Sequence, residues 1–328
     1  MAQVISIDAT AQGLNQFSKK VSPKLHSKLR QELEWETFVP FVEADYAYSG
    51  EEMEVSDLTQ PYQAQFTPNN QESYGGIDNF LRPIKIDTIY TAAQLEKFFS
   101  RYRANWFQTD PEKIRNGYFS YILNQIILPK AIEELNDIAW KGEYVAPTAG
   151  TPGAVLESCD GFRKFIADQV TAGNLTPLVT GAWPTTFTIG NGTIIDYIRE
   201  ACKLIPEPYR YRPGLIHMSK TKAQLYSDDY RDKYQKSVEV PSKSESGLLL
   251  KVDDFKKMIV GHTSMEGDDR IIFTFNNESG LTIGTRIGHP RYYNFRFEAE
   301  DRTLKVFSEI YRFYGAETLK HTFVSDQV

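Results

Sequence analysis

The sequence predicts an α+β fold built around a mixed sheet, and three observations carry that prediction. One stretch, TDPEKIRNGYFSYILNQIILPKAIEELNDIAWK at 109–141, keeps helical spacing throughout. A Gly/Pro-rich break, APTAGTPGA at 146–154, follows it. Beyond the break, helical and strand-like segments alternate, and the chain closes in strands.

The long stretch opens on two start signals. Thr109 with Glu112 makes a capping box, and Asp110 precedes a proline at the first helical position. Ile114, Tyr118, Ile122 and Gln125 recur on one face, and Ile132, Leu135 and Ala139 resume it past Pro129. A helix of this span is roughly 45 Å long. Pro129 deprives the Gln125 carbonyl of its partner and predicts a kink there. Such a helix needs a broad sheet or neighbouring subunits to cover its apolar stripe.

Residues 1–45 read as an extended arm carrying a weak amphipathic helix. Its centre, KKVSPKLHSKLR, holds Lys19, Lys20, Lys24, Lys28 and Arg30 with no acid, and Leu25, Leu29 and Leu33 share one face. Two readings are open for these bases: contact with phosphate backbones, or a solvated face on a helix packed against a neighbour. Segments 62–68 and 82–91 both alternate. Tyr62, Ala64 and Phe66 fall on one face, as do Ile84, Ile86 and Tyr90, and NNQESYGG between them has turn chemistry. This predicts a long hairpin within 46–92 that other surfaces must cover, because two strands alone are marginal in water. Helical spacing returns at 91–107 through Leu95, Phe98, Phe99 and Tyr102.

After the break, residues 154–170 predict a helix, or two short ones split at Asp160-Gly161. Thr193 with Asp196 predicts a capped helix holding Ile194, Ile195, Ile198 and Cys202. GLIHM at 214–218 predicts a buried strand, with Ser219 or Thr221 capping the helix after it. Residues 240–247 have loop composition. Strands are expected at FKKMIVG, RIIFTFN and GLTIGTR within 255–286, and two or three more over 294–324.

With 328 residues the chain can bury a large core, divided into two lobes. Its 37 basic and 43 acidic residues exclude a wholly basic nucleic-acid binder but allow a local basic patch. The 19 tyrosines and 20 phenylalanines suit surfaces that become interfaces, and equally a β-rich core. No signal pattern or membrane-length apolar run is present, so a soluble protein made in a cytoplasm is expected. Cys159 and Cys202 form no CxxC, and the five histidines have no zinc-ligand spacing. His217 reads as a core histidine. No nucleophile elbow, P-loop or dinucleotide fingerprint occurs, which predicts no catalytic residue, no metal and no cofactor. Gly190-Asn191-Gly192-Thr193 reads as a loop with an N-cap rather than a phosphate site, and Asp253-Asp254 and Asp268-Asp269 as solvated turns.

Basic arm, hairpin, kinked helix, Gly/Pro break, α/β lobe and terminal strands, in that order, resemble the major capsid proteins of tailed bacteriophages, whose fold is named after phage Hong Kong 97. ESCDGFRKFIAD (157–168) looks like the helical opening of that family's axial domain. GLIHMSKTKAQLYSDDYRDKY (214–234) looks like its strand–Ser–helix unit, and AEDRTLKVFSEIYRFYGAE (299–317) like its peripheral strand. The resemblance implies an N-terminal arm at 1–45 and an extended loop at 46–92. A peripheral domain on its spine helix would take 93–148, an axial domain 149–288, and returning strands 289–328. It implies a structural subunit forming hexamers and pentamers of an icosahedral head around double-stranded DNA. The host cytoplasm would be the place of assembly, and scaffolding, portal or decoration proteins would be separate chains. Tyr62, Phe66, Ile84, Ile86 and Tyr90 would then be intersubunit residues, and the arm bases would face DNA. No lysine–asparagine crosslinking pair is carried over. An encapsulin-like compartment and an α+β enzyme with a nonlocal site stand as alternatives.

Overall fold

The computed structural model describes residues 10–19, 32–55, 72–104, 118, 121–186, 188–238, 248–252, 254–275, 280–300 and 303–327. The start of the long helix, most of the basic arm and segment 62–68 lie outside these. A helix at 10–19 (α1) comes first. Strands β1 (Phe41–Ala44), β2 (Ala47–Val55), β3 (Glu72–Phe80) and β4 (Arg82–Thr91) follow, then helix α2 (Ala92–Ala104). A reciprocal cap starts α2: Thr91 N–H donates to Gln94 Oε1 (2.8 Å), and Gln94 N–H donates to Thr91 Oγ1 (3.4 Å).

The predicted kink takes the form of a wide turn. Ile122–Ile127 is π-helical and runs straight into helix α3 (Leu128–Lys141), with Pro129 in its first turn. An inserted residue is how a helix absorbs the hydrogen bond a proline cannot make. Leu128, Ala131, Ile132, Leu135, Ile138 and Ala139 form the buried stripe of α3. Each of its larger side chains contributes about 1.5–3 kcal/mol by leaving water. The chain then runs over the surface through the Gly/Pro break to a 3₁₀ turn at Val155–Glu157 and helix α4 (Phe162–Thr171), separated near Asp160-Gly161 as expected.

Helices α5 (Thr193–Leu204), α6 (Glu207–Arg210) and α7 (Lys220–Tyr234) alternate with strand β5 (Gly214–Ser219). Ser219 caps α7, its hydroxyl accepting from Lys222 N–H. Strands β6 (Leu248–Val252), β7 (Lys257–His262), β8 (Ile272–Phe275), β9 (Leu281–Arg286), β10 (Arg296–Glu300), β11 (Thr303–Ala316) and β12 (Phe323–Val324) complete the chain. They make two mixed sheets. One runs β1-β9-β11-β10 with β4 also on β11; the other runs β12-β8-β5-β7-β6. The β1–β9 and β5–β7 pairs are parallel. Strand β5 is buried along its whole length, which suits its near-continuous apolar run.

The two larger of four apolar clusters make up most of the core. The larger joins α1, segment 33–39, α3 and α4 to strands β9–β11, and the smaller lies between β5–β8 and helices α5 and α7.

Three expectations are corrected. The long hairpin was expected from 62–68 with 82–91, and 62–68 lies outside the described residues; the hairpin that is described is another one. It is β2 with β3, in register from Ala47 opposite Phe80 to Val55 opposite Glu72. Strand β4 instead pairs with β11 over ten positions, from Thr91 opposite Thr303 to Arg82 opposite Arg312. Alternation identifies a strand but not its partner, and the distant β11 offers a longer apolar match. The residues expected to form the hairpin turn, Glu72–Gly76, belong to β3. Finally, the arm's end is no extension: Leu33, Trp35 and Val39 are core residues.

Candidate assembly surface

The β2–β3 ribbon forms a two-stranded sheet of its own among the described residues. Its root is firmly built. Asn79 is buried, and its amide donates to the Ala316 (3.0 Å) and Ile77 (3.2 Å) carbonyls. A Cβ at Gly50 would lie 2.0 Å from the Glu317 carbonyl oxygen, so the ribbon passes the end of β11 too closely for any other residue. Tyr48 stacks on Phe313, with centroids 6.0 Å apart. Past Gly50, β2 and β3 pair only with each other among the described residues. Tyr46 and Phe80, at the root, are 71% and 50% exposed. Aromatic rings left in water beside a two-stranded ribbon are what an interface uses.

Sequence reasoning missed the ribbon's charge. Between Tyr46 and Leu81 stand Glu51, Glu52, Glu54, Asp57, Glu72 and Asp78, with no lysine or arginine. A count of charge over this window was the available signal.

The expected intersubunit residues divide. Tyr62 and Phe66 lie outside the described residues. Ile84 is buried in its own chain's main cluster, and Ile86 and Tyr90 pack against that cluster. Tyr90 meets Phe98 of α2 edge-on at 5.7 Å. Within the chain these three thus face its own sheet and helix, Ile84 fully and Ile86 and Tyr90 in part. On the same strand Ile89 is 56% exposed. Of the arm bases, Lys19 ends α1 and is exposed, while Lys20, Lys24, Lys28 and Arg30 lie outside the described residues.

Residues that could carry chemistry have structural partners. Both cysteines are buried, and burial pushes the thiols of Cys159 and Cys202 up to about 12. His217 sits between His262 and Thr274. The Gly190–Thr193 loop is occupied by a carboxylate from α7. Asp229, buried, accepts the backbone N–H groups of Gly190 (2.9 Å), Gly192 (2.9 Å), Ile194 (3.2 Å) and Ile195 (3.4 Å). The expected cap by Thr193 is thus replaced: Gly192 is the N-cap, in the left-handed region at φ 78°, and Asp229 supplies the acceptor. Asp269 pairs with Lys222, and Asp254 with Arg199 at 3.2 Å. Glu36 and Arg312 make an ion pair at 3.2 Å inside the core, and the Arg291 carbonyl also accepts from Arg312. Burial raises the Glu36 carboxyl, opposed by Arg312. No group of three or more His, Cys, Asp or Glu that could hold a metal occurs among the described residues. Among them, too, no helix is long and apolar enough to cross a membrane.

No protein-family model and no curated protein matches the chain. Solved structures do. A chain of the satellite phage P4 procapsid including the size determination (Sid) protein is 12% identical, with a TM-score of 0.56, and the match covers 94% of this chain and 90% of that one. The capsid of cyanophage A-1(L) is 11% identical with a TM-score of 0.54, covering 91% of each chain. The SrpI encapsulin from Synechococcus elongatus PCC 7942 is 10% identical with a TM-score of 0.52, covering 89% of this chain and 86% of that one. The chain has the fold of these shell proteins along nearly its whole length.

Proposed function

We propose that this chain is a major capsid subunit. It assembles with copies of itself into the hexamers and pentamers of an icosahedral phage head around double-stranded DNA. The observation that carries this reading is the β2–β3 ribbon: two strands that form a sheet of their own among the described residues, rooted by Gly50, Asn79 and Tyr48, on a chain with the capsid fold. A lone ribbon is marginal in water, so a neighbouring copy is its natural cover. The domain assignment follows: arm, extended loop, peripheral domain on the kinked helix, axial domain and returning strands. The arm bases, of which Lys19 is exposed, would face the packaged DNA and contact it without reading sequence. Scaffolding, portal and decoration proteins would be separate partners, and the work of the subunit is structural rather than catalytic.

Negative-stain microscopy and sedimentation of the expressed chain, alone and with a scaffold, test this directly. Closed shells or capsomers are expected, and a stable monomer under all conditions would overturn it. The likeness to the SrpI encapsulin supports a second reading, a protein compartment. Nuclease-protected DNA inside the shells supports the first, and enclosed protein the second.

A further inference from the structure

Three segments distant in sequence meet at a pair of imidazoles. His217 on β5 and His262 on β7 are fully buried, with His217 Nδ1 2.8 Å from His262 Nε2. His217 Nε2 lies 2.9 Å from Thr274 Oγ1 on β8. A contact between two ring nitrogens needs one hydrogen and one lone pair, so the pair can hold at most one added proton while that contact lasts. Trp35 lies flat on it: its ring is 4.0 Å from His262 and nearly parallel at 3°, and 5.3 Å from His217. Trp35 also stacks on Trp140 of α3 at 5.6 Å and touches Phe162 of α4 at 4.9 Å. Phe38 meets both imidazoles edge-on. The indole N–H donates to Ser264 Oγ at 3.0 Å.

One charged side chain faces this stack. The Glu34 carboxylate accepts the backbone N–H groups of Thr263 (2.9 Å) and Ser264 (3.3 Å), and stands 3.9 Å from His262 Nδ1. That nitrogen is buried without a hydrogen bond. From the other elements the contacts are neutral: Thr274 from β8, Ser264 from the turn after β7, Trp140 from α3 and Phe162 from α4. Glu36, two residues along, is engaged by Arg312. An added proton on the pair would therefore put a full charge in a site closed to water, with its nearest counter-charge, Glu34, beyond hydrogen-bond distance.

We propose that the His217–His262 pair is an acid-release latch for the end of the N-terminal arm. Neutral, it provides the flat surface on which Leu33–Val39 docks through Trp35; in acid it takes up protons only when that segment lifts away. The sign follows from the docked state. Burial lowers the basicity of His217 to about 3, and that of His262 well below the usual range, with His217 adding to the second. A released histidine takes its proton near pH 6.5. Docking is thus fully favoured above about pH 6.5 and weakens as pH falls below it. Between pH 7.5 and 5.0 release gains roughly thirtyfold for each histidine it frees.

Hydrogen exchange of the full chain, read peptide by peptide at pH 7.5 and 5.0 and corrected for intrinsic rates, tests the latch. Peptides covering Leu33–Val39 should lose about thirtyfold in protection at pH 5.0 if one ring is freed, and more if both are, while β5, β8 and α3 keep theirs. The double variant His217→Gln, His262→Gln should show no such pH dependence. Glu34→Gln, which leaves both rings in place, should retain it. Loss of protection in the segment together with the β5–β8 sheet, or none at all, overturns the proposal. So does abolition of the effect by Glu34→Gln, since that would assign the titration to the carboxylate. These wild-type and Glu34→Gln profiles decide even if the double variant does not fold.

Discussion

At the scale of single residues, the chain places ionisable groups where they hold backbone in position. Asp229 is the clearest case, since its two oxygens take four N–H groups at the start of α5. Replacing it with alanine leaves those donors unpaired in the interior, and should lower stability by about 3 kcal/mol. Asparagine keeps one acceptor oxygen and should cost less. Denaturant unfolding of the unassembled subunit measures both. The cysteines give an independent check. With both thiols raised to about 12 by burial, neither forms thiolate at pH 8 in the folded chain. A thiol reagent should label them only after denaturation, and rapid labelling of the native protein would contradict their placement. Cys159→Ser or Cys202→Ser should lower stability by roughly 1–3 kcal/mol.

At the scale of elements, what the sequence made legible was periodicity, and what it hid was pairing. Pro129 announced its own distortion, because a proline acts on the carbonyl four residues back, and the π-turn at Ile122–Ile127 contains Gln125. Strand β4 was legible from Ile84, Ile86 and Tyr90, and β5 from GLIHM. Neither alternation nor burial says that β4 joins β11 across more than two hundred positions, so the hairpin was assigned to the nearest candidate. Trp35 was hidden in the same way. It follows a basic run that reads as an arm, and its partners, Trp140, His217 and His262, lie far along the chain. Asp229 escaped notice because caps are sought within a few residues of a helix start, whereas this one reaches across from α7. The kink itself is testable. Pro129→Ala removes an interior proline penalty of about 3 kcal/mol, part of which the π-turn already absorbs, so a gain of about 1 kcal/mol in subunit stability is expected. A loss would show that the π-turn is held by packing rather than imposed by the proline.

At the scale of the whole molecule, two sheets are bound into apolar clusters and one strand pair stands apart from them. Ile84 and Tyr90 of β4 pack on the larger cluster. The ribbon beyond Gly50 joins neither sheet among the described residues. Its strands pair only with each other among the described residues, and its stretch of sequence carries acids and no base. A cut can therefore separate folding from assembly. Glu51 lies opposite Gly76, so joining them through Asn-Gly makes a two-residue hairpin while keeping Gly50, Asn79 and Tyr48 at the root. This shortened chain should retain its circular dichroism spectrum and unfolding midpoint, because Gly50, Ile77 and Asn79, which tie the ribbon to the rest of the fold, all remain. It should fail to close shells, because every subunit loses the same contact. Reversing Glu51, Glu52 and Glu54 to lysine tests the charge separately. The full-length ribbon remains, and assembly should weaken most at low salt, where exposed charges act over the longest range. If the shortened chain still forms shells of normal size and heat stability, the ribbon is not the intersubunit contact. If it unfolds, the ribbon belongs to its own chain's core, and the division drawn between self-covered and partner-covered parts is wrong.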